Sequence, residues 1–318
     1  MKITFPKFIG LLSLVLLGAA ACTNSEFKRT KAGLQYKIYS DGRGDLAKKG
    51  QFLKLQLVQK LRDSILYTSY GSMPAYLPVD SPHNVYSPWD ILSLLRKGDS
   101  AVAVLSVDSL VKKTNSPLPP FLKRKDKIIF TFKIQDIFAS EDLLNKDREG
   151  EMAKQRDREV KFVEGYLASH HIQAQKTAAG VYYVIQDPGN GPQVDSGKQV
   201  AVRYTGKLMP SGKVFDGNMT GPADPYKLVI GAHSVIPGWE DGLKVFRKGG
   251  KGMLYIPAFL AYDERLGPGR KPFENLMFEV QVVDVTDAPP PAATPGMPNI
   301  QGMPQQIRPQ QGNPQSHK

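Results

Sequence analysis

Alternation of apolar and polar residues marks strands in the second half of the chain. Val200-Ala-Val-Arg-Tyr204 alternates with period two, and so does Met253-Leu-Tyr-Ile256. Leu276-Met-Phe-Glu-Val-Gln-Val282 does the same and sends Leu276, Phe278, Val280 and Val282 to one face. Between these runs, residues 238–246 read as a short helix with Trp239, Leu243 and Phe246 on one side. About five antiparallel strands and one helix make an α+β domain, with the helix on one face of the sheet. Earlier in the chain, residues 141–170 hold 14 charged residues of mixed sign, with Val160, Val163 and Leu167 at helical spacing. This pattern predicts a linker helix over 141–172 with one modest apolar stripe. In 288–318, 14 of 31 residues are Pro or Gln, a composition that buries too little surface to offset its ordering entropy. A disordered tail is expected there.

The chain repeats itself at long range. Gly33-Leu-Gln-Tyr-Lys-Ile38 matches Gly180-Val-Tyr-Tyr-Val-Ile185. At the same offset of 147, Gly42, Gly44 and Gly50 fall on Gly189, Gly191 and Gly197, and Leu53, Leu55 and Leu57 fall on Val200, Val202 and Tyr204. Arg96-Lys-Gly98 matches Arg247-Lys-Gly249, and Phe130, Phe132, Ile134 and Asp136 match Phe278, Val280, Val282 and Asp284. Glycines, alternation and order agree together, so the reading is two copies of one domain, over 33–138 and 178–287. The spacing is too long for a solenoid.

Composition adds limits. Twenty-five prolines and 29 glycines in 318 residues favour turn-rich β architecture. The formal charge is +12, but its clusters, Lys48-Lys49, Lys112-Lys113 and Lys123-Arg124-Lys125, sit in separate segments without a zinc spacing or RNA-binding motif. The expectation is a solvated basic surface and no nucleic acid. Lys2 and Lys7 flank the start of an uncharged run over residues 8–21, which ends in small residues before Cys22. That layout is a secretory signal over 1–22, too short to span a membrane. Cys22 is the sole cysteine, so no intramolecular disulfide exists. Its setting resembles the lipobox of bacterial lipoproteins, which implies lipidation at Cys22 and an anchored, exported protein facing the periplasm. The alternative is a cleaved signal with an incidental cysteine.

Six runs in the second copy carry a resemblance to a known family. They are Val202-Arg-Tyr-Thr-Gly206, Gly212-Lys-Val-Phe-Asp216, Val235-Ile-Pro-Gly-Trp-Glu-Asp-Gly-Leu243, Ile256-Pro257, Leu260-Ala-Tyr262 and Leu276-Met-Phe278. In this order and spacing they resemble the FKBP-type peptidyl-prolyl cis/trans isomerases, in the form of a lipoprotein of Bacteroidetes-like bacteria. The resemblance implies a half-barrel sheet wrapped on the short helix, and isomerisation of X–Pro bonds without cofactor or metal. It assigns Tyr204, Phe215, Asp216 and Tyr262 as catalytic. It assigns Tyr226, Val235, Ile236, Trp239 and Phe278 to substrate binding, with Trp239 as the pocket floor. Leu228 stands where the family often has an aromatic residue. The role of Asp216 is open between polarising a carbonyl, holding Tyr204 and capping a turn. Phe278, Val235 and Trp239 also read as ordinary core. Asp263 occupies a usual glycine position, and 266–271 replaces the family's apolar flap, which changes the pocket rim. Implied partners are unfolded or exported proteins and proline-containing peptides.

The first copy has Leu57 at the Tyr204 position, Tyr67-Thr68 at Phe215-Asp216, and Pro88 or Trp89 near Trp239, with no Ala-Tyr pair after Ser106. A folded but inactive domain is expected. His170-His171 reads as a helix end or, less readily, as metal ligands. The linker helix also offers a surface for a homodimer. Against the isomerase stands a second reading, an envelope chaperone or binding protein in which turnover is incidental.

Overall fold

A computed structural model describes residues 26–80, 86–115, 117–265 and 271–289. The signal segment, Cys22, most of the loop over 266–271 and nearly all of the tail lie outside the described residues. The chain forms two compact units, Met1–His170 and His171–Lys318.

The first unit contains β1 (Lys28–Arg29), β2 (Gln35–Tyr39), β3 (Phe52–Leu61), β4 (Ser64–Thr68), β5 (Ala75–Pro78), β6 (Ser100–Ser106) and β7 (Lys127–Phe138). They form an antiparallel sheet in the order β1-β2-β6-β7-β3-β4, with β5 also on β3. A 3-10 turn, Pro88–Leu94, precedes β6, and helix α1 (Val107–Thr114) follows it. Leu34, Leu53, Leu55, Ile91, Leu95, Phe132 and Ile134 are the heart of the core.

Helix α2 (Glu141–Ser169) is the expected linker helix. Ser140 caps it by accepting from the Leu143 N–H, and Glu141 and Asp142 oppose the positive end of its dipole. Its buried positions are Leu144, Gln155, Glu159, Val163 and Leu167, so the stripe is partly polar. Gln155 satisfies itself by donating to Glu159 at 2.8 Å and accepting from Arg158. His170 ends the helix: its Nδ1 meets the Tyr166 carbonyl at 2.8 Å, and its ring stacks on Tyr166. No group of three or more metal-type ligands occurs among the described residues. No described helix is long and apolar enough to cross a membrane.

The second unit contains β8 (Gln175–Lys176), β9 (Tyr182–Asp187), β10 (Lys198–Leu208), β11 (Val214–Gly217), β12 (Tyr226–Val229), β13 (Lys251–Ile256) and β14 (Leu276–Asp287). Their order is β11-β10-β14-β13-β9-β8, with β12 also on β10. Helix α3 (Pro237–Gly242) continues as a 3-10 turn, Leu243–Val245. Each sheet therefore has seven strands where alternation pointed to about five. The additional ones are the two-residue β8 and the four-residue β11 and β12, pieces too short to display a period.

The two units share their irregularities as well as their strand order. The β3/β7 ladder slips between Lys54 and Leu55, and the β10/β14 ladder slips between Ala201 and Val202. The β3/β4 ladder slips between Gln59 and Lys60, and β10/β11 between Gly206 and Lys207. All four positions obey the offset of 147. Isolated bridges Leu46–Arg96 and Gln193–Arg247 repeat as well. Gly33, Gly42, Gly50 and Gly98 have positive φ, as do Gly180, Gly189, Gly197 and Gly249. A bulge costs a paired residue and bends its strand. Shared bulges at equivalent sites are a stronger mark of duplication than shared hydrophobic runs.

Close packing fixes α3. A Cβ on Gly238 would lie 2.4 Å from Ile256 Cγ2 and 3.0 Å from the Leu260 carbonyl oxygen. Gly238→Ala is expected to destabilise the second unit by about 1–3 kcal/mol through overpacking. Gly165→Ala, in α2 with nothing within 4 Å, is expected to stabilise its helix by up to about 1 kcal/mol. Urea unfolding followed by circular dichroism checks both.

Candidate functional site

The inner face of the second sheet, the start of α3 and the segment after β13 enclose a cavity of about 500 Å³. Tyr204 reaches it from β10, Asp216 from β11, Tyr226 from β12 and Phe278 from β14. Val235, Ile236 and Trp239 come from the entry to α3, and Tyr262 follows the 3-10 turn Ala258–Leu260. Eight of the nine pocket residues expected from the sequence thus line one cavity.

Trp239 lies in the middle of a ring cluster. Its centroid is 4.8 Å from Tyr204, 5.3 Å from Phe278 and 6.2 Å from Tyr226, at interplanar angles of 89°, 79° and 79°. Edge-to-face pairs of this kind contribute about 0.5–1.5 kcal/mol each beyond area burial. Trp239 is 4 % exposed, and among the described residues its Nε1–H has no hydrogen-bond partner. Such an unpaired donor costs about 1–3 kcal/mol. Packing of the indole faces outweighs that cost.

Phe215 is the exception among the expected residues. Gly206 pairs with Asp216 and Lys207 with Val214, so Phe215 is the residue left over in the bulge. It does not line the cavity. Its ring packs edge-on against Phe278 at 5.9 Å, supporting the pocket from behind. Gly206 permits this, because a Cβ there would sit 2.8 Å from Phe278 and 2.9 Å from Phe215. Leu228 is buried in the core, away from the lining.

One hydrogen bond crosses the polar side of the cavity. Tyr204 Oη donates to Asp216 Oδ2 at 2.8 Å, while Asp216 Oδ1 accepts from the Gly217 N–H. Burial, and then the Asp216 carboxylate, hold the Tyr204 phenol well above its ordinary range. Tyr204 is also fixed through its backbone. Its N–H donates to Asn218 Oδ1 at 2.8 Å, and its carbonyl accepts from the N–H groups of Asn218 and Met219. Asn218 Nδ2 in turn donates to the Val202 and Asp224 carbonyls.

Sequence reasoning missed His233, Ser234, Pro237, Ala261 and Arg265, which also line the cavity. His233 is held against Glu240, with its N–H donating to Oε1 at 2.7 Å and its Nδ1 lying 3.3 Å from Oε2. The signal available was proximity: His233 and Ser234 directly precede the Val235-Ile-Pro-Gly-Trp239 run, and Arg265 follows Tyr262 by three. Asp263 has φ +51°, the left-handed conformation that explains why a glycine suits that position.

The first unit retains few of these groups. Leu57 pairs with Phe132 as Tyr204 pairs with Val280, and Ala75 pairs with Leu55 as Tyr226 pairs with Val202. The register corrects the sequence match by one residue: Leu66 is left over in the bulge as Phe215 is, and Tyr67 pairs with Gln59 as Asp216 pairs with Gly206, so Leu66 and Tyr67, not Tyr67 and Thr68, stand for Phe215 and Asp216. Pro88 is in register with Trp239, but the ring on Phe130 belongs to Trp89, at 5.7 Å and 75°. Helix α1 replaces the segment that carries Tyr262.

With this geometry in place, comparison with known proteins identifies the class. Residues 191–283 match the family model of FKBP-type peptidyl-prolyl cis-trans isomerases. The match falls within the second domain, which is similar to this family over those residues. The chain is 38% identical over 119 residues to the FKBP-type peptidyl-prolyl cis-trans isomerase FkpA of Escherichia coli, covering 37% of this chain and 43% of that protein. It is 38% identical over 110 residues to FK506-binding protein 4 of Neurospora crassa, covering 35% of this chain and 23% of that protein. The chain therefore spans less than half the length of either relative. A solved peptidyl-prolyl cis-trans isomerase of Pseudomonas syringae is 31% identical, with TM-score 0.35, covering 41% of this chain and 96% of that one.

The phenol of Tyr204 generates a pH prediction. Its folded pKa exceeds the unfolded value of about 10, so its contribution to stability is complete below that pH and declines as pH rises through the folded value. In a Trp89→Phe background, where Trp239 is the sole tryptophan, Tyr204→Phe is expected to flatten the loss of stability above about pH 10. Urea unfolding read by Trp239 fluorescence at neutral and alkaline pH checks this.

Proposed function

We propose that the second domain catalyses cis/trans isomerisation of X–Pro bonds in exported proteins, by non-covalent stabilisation of the twisted amide. The observation that carries this reading is the Trp239 floor walled by Tyr204, Tyr226 and Phe278. A planar amide resists rotation by ~18–20 kcal/mol because of its resonance. At the twisted midpoint that resonance and its charge separation are lost. An apolar cavity accepts the twisted form more readily than either planar one, and differential binding of that kind is catalysis. Each 1.36 kcal/mol of preference is a tenfold rate gain. Flat rings match the proline ring, and the Tyr262 hydroxyl and the Ile236 N–H supply hydrogen bonds to the peptide carbonyls. Asp216 acts by holding Tyr204 in place. No nucleophile or cofactor enters the step, because no bond is broken.

The wider setting follows from the sequence. Residues 1–22 direct export, and Cys22 becomes the lipid anchor in the envelope. The first domain is a degenerate copy without isomerase activity, and α2 offers a surface for a homodimer. A second reading, client binding with incidental turnover, draws on the intact core of the first unit, which persists after the pocket rings are gone.

A proline-limited refolding assay with the full chain tests the main reading. Catalysis above the spontaneous rate is expected, and background rates with the chain folded would refute it. Tyr262→Phe should lower kcat/KM by about five- to tenfold, the worth of one hydrogen bond near 1 kcal/mol, with stability unchanged. Phe215→Ala should act differently, since the ring supports Phe278: activity and stability fall together, the latter by about 2–4 kcal/mol. If Tyr262→Phe suppresses aggregation of a model client as well as the parent while kcat/KM falls, client binding is separable from catalysis.

A further inference from the structure

The charge surplus of the chain is concentrated. Residues 26–138 hold 19 Lys and Arg against 10 Asp and Glu, and 171–289 hold 13 against 12. The first unit therefore carries +9 of the total +12, and its sheet gathers much of that at one end. Ser106 of β6 pairs with Lys127 of β7, Leu61 of β3 pairs with Ile128 and Ser64, and Arg29 of β1 pairs with Gln35 beside Val104. This end thus brings the turn after β1, the β3–β4 hairpin, helix α1 and the segment before β7 together, although they are far apart in sequence.

Arg62 is paired with Asp126, and Lys112 and Arg124 with Asp108. That uses two of the three carboxylates there; the third is Asp63. Arg29, Lys31, Lys60, Lys123, Lys125 and Lys127 are exposed and form no ion pair with a described carboxylate. Two large apolar side chains project beside them: Phe121 is 66% exposed and Ile65 57%. The second copy keeps only part of this charge. At the offsets that relate the two copies, Lys176, Lys207 and Lys271 stand for Arg29, Lys60 and Lys123, but Met209 stands for Arg62, Ala178 for Lys31, Phe273 for Lys125 and Asn275 for Lys127.

We propose that this end of the first domain docks on an anionic lipid surface. Unpaired lysines around projecting aromatic and aliphatic tips suit a headgroup layer, where the charges meet phosphates and the tips enter the acyl boundary. Charge around projecting tips, rather than a concavity, marks this end: cavities of the first unit lie elsewhere, around Gln56, around Tyr36 and along α2 at Met152. Position agrees as well. Arg29 follows Cys22 by seven residues, a reach of at most about 25 Å. The inference is independent of the isomerase reading, and either can fail alone.

The test is flotation of residues 23–318, which keep both folded units and lack the apolar leader and the anchor proposed at Cys22, with phosphatidylcholine vesicles, with and without about a third phosphatidylglycerol. The parent should favour the anionic vesicles at low salt and lose that preference in high salt. Reversal by Lys123→Glu, Lys125→Glu and Lys127→Glu together should lower partitioning about 100-fold. Lys48→Glu with Lys49→Glu, at the opposite end of the sheet, should leave it unchanged. Should the triple variant misfold by circular dichroism, Lys31→Glu with Lys60→Glu probes the same surface on other elements and should lower partitioning about 30-fold. Equal binding to neutral vesicles overturns the proposal, as does indifference to these reversals. Equal competition by polyglutamate or DNA assigns the surface to another polyanion and also overturns it.

Discussion

The site depends on how closely α3 can lie against the sheet, and residue 238 sets that distance. With hydrogen in place of a side chain, the helix backbone meets Ile256 and the Leu260 carbonyl in direct contact. The next residue, Trp239, is then lowered into the concave face, where Tyr204, Tyr226 and Phe278 surround it. A second glycine, Gly206, does the same for the rings behind the pocket. Two missing methyl groups thus shape an aromatic cavity that side chains alone would not leave open. The retained cost is visible at the indole nitrogen, which has no partner among the described residues.

Comparison of the two units separates fold from site. The frame is held by positive-φ glycines, two bulges and a buried apolar face, and both units keep all three. The pocket is held by rings and one charge-assisted hydrogen bond, and the first unit keeps only the Phe130 ring with a neighbouring tryptophan. Leu57 and Ala75 preserve the strand pairing while removing both walls contributed by Tyr204 and Tyr226. The first unit thus joins the same frame to a different surface, and the basic end of its sheet is part of that surface.

Much of this was legible in the sequence, because strand alternation and glycine punctuation are local. The offset of 147, read from residues alone, also relates the bulges that the ladders of the two units show. The six family-like runs hold seven of the eight expected residues that line the cavity, and Tyr226 lies outside them. What stayed hidden depends on three-dimensional proximity. Phe215 sits in one of the six runs, but the slip opposite Gly206 turns it from wall to support. His233 and Arg265 come from loops with no periodicity. Lys112-Lys113 and Lys123-Arg124-Lys125 look scattered along the chain, and only the antiparallel order of β6, β7 and β3 places them with Lys60 and Arg29. Short strands such as β8 escaped because two residues have no period.

The central claim is that the aromatic cradle of the second domain, and nothing in the first, accelerates rotation about X–Pro bonds. The most direct measurement is magnetisation exchange between the cis and trans signals of a proline peptide in the presence of the full chain. It is compared with a variant that installs the first domain's residues in the second: Tyr204→Leu, Asp216→Tyr and Tyr226→Ala. The account predicts exchange cross-peaks with the parent and their loss in the folded triple variant. Undiminished exchange with that variant would contradict it.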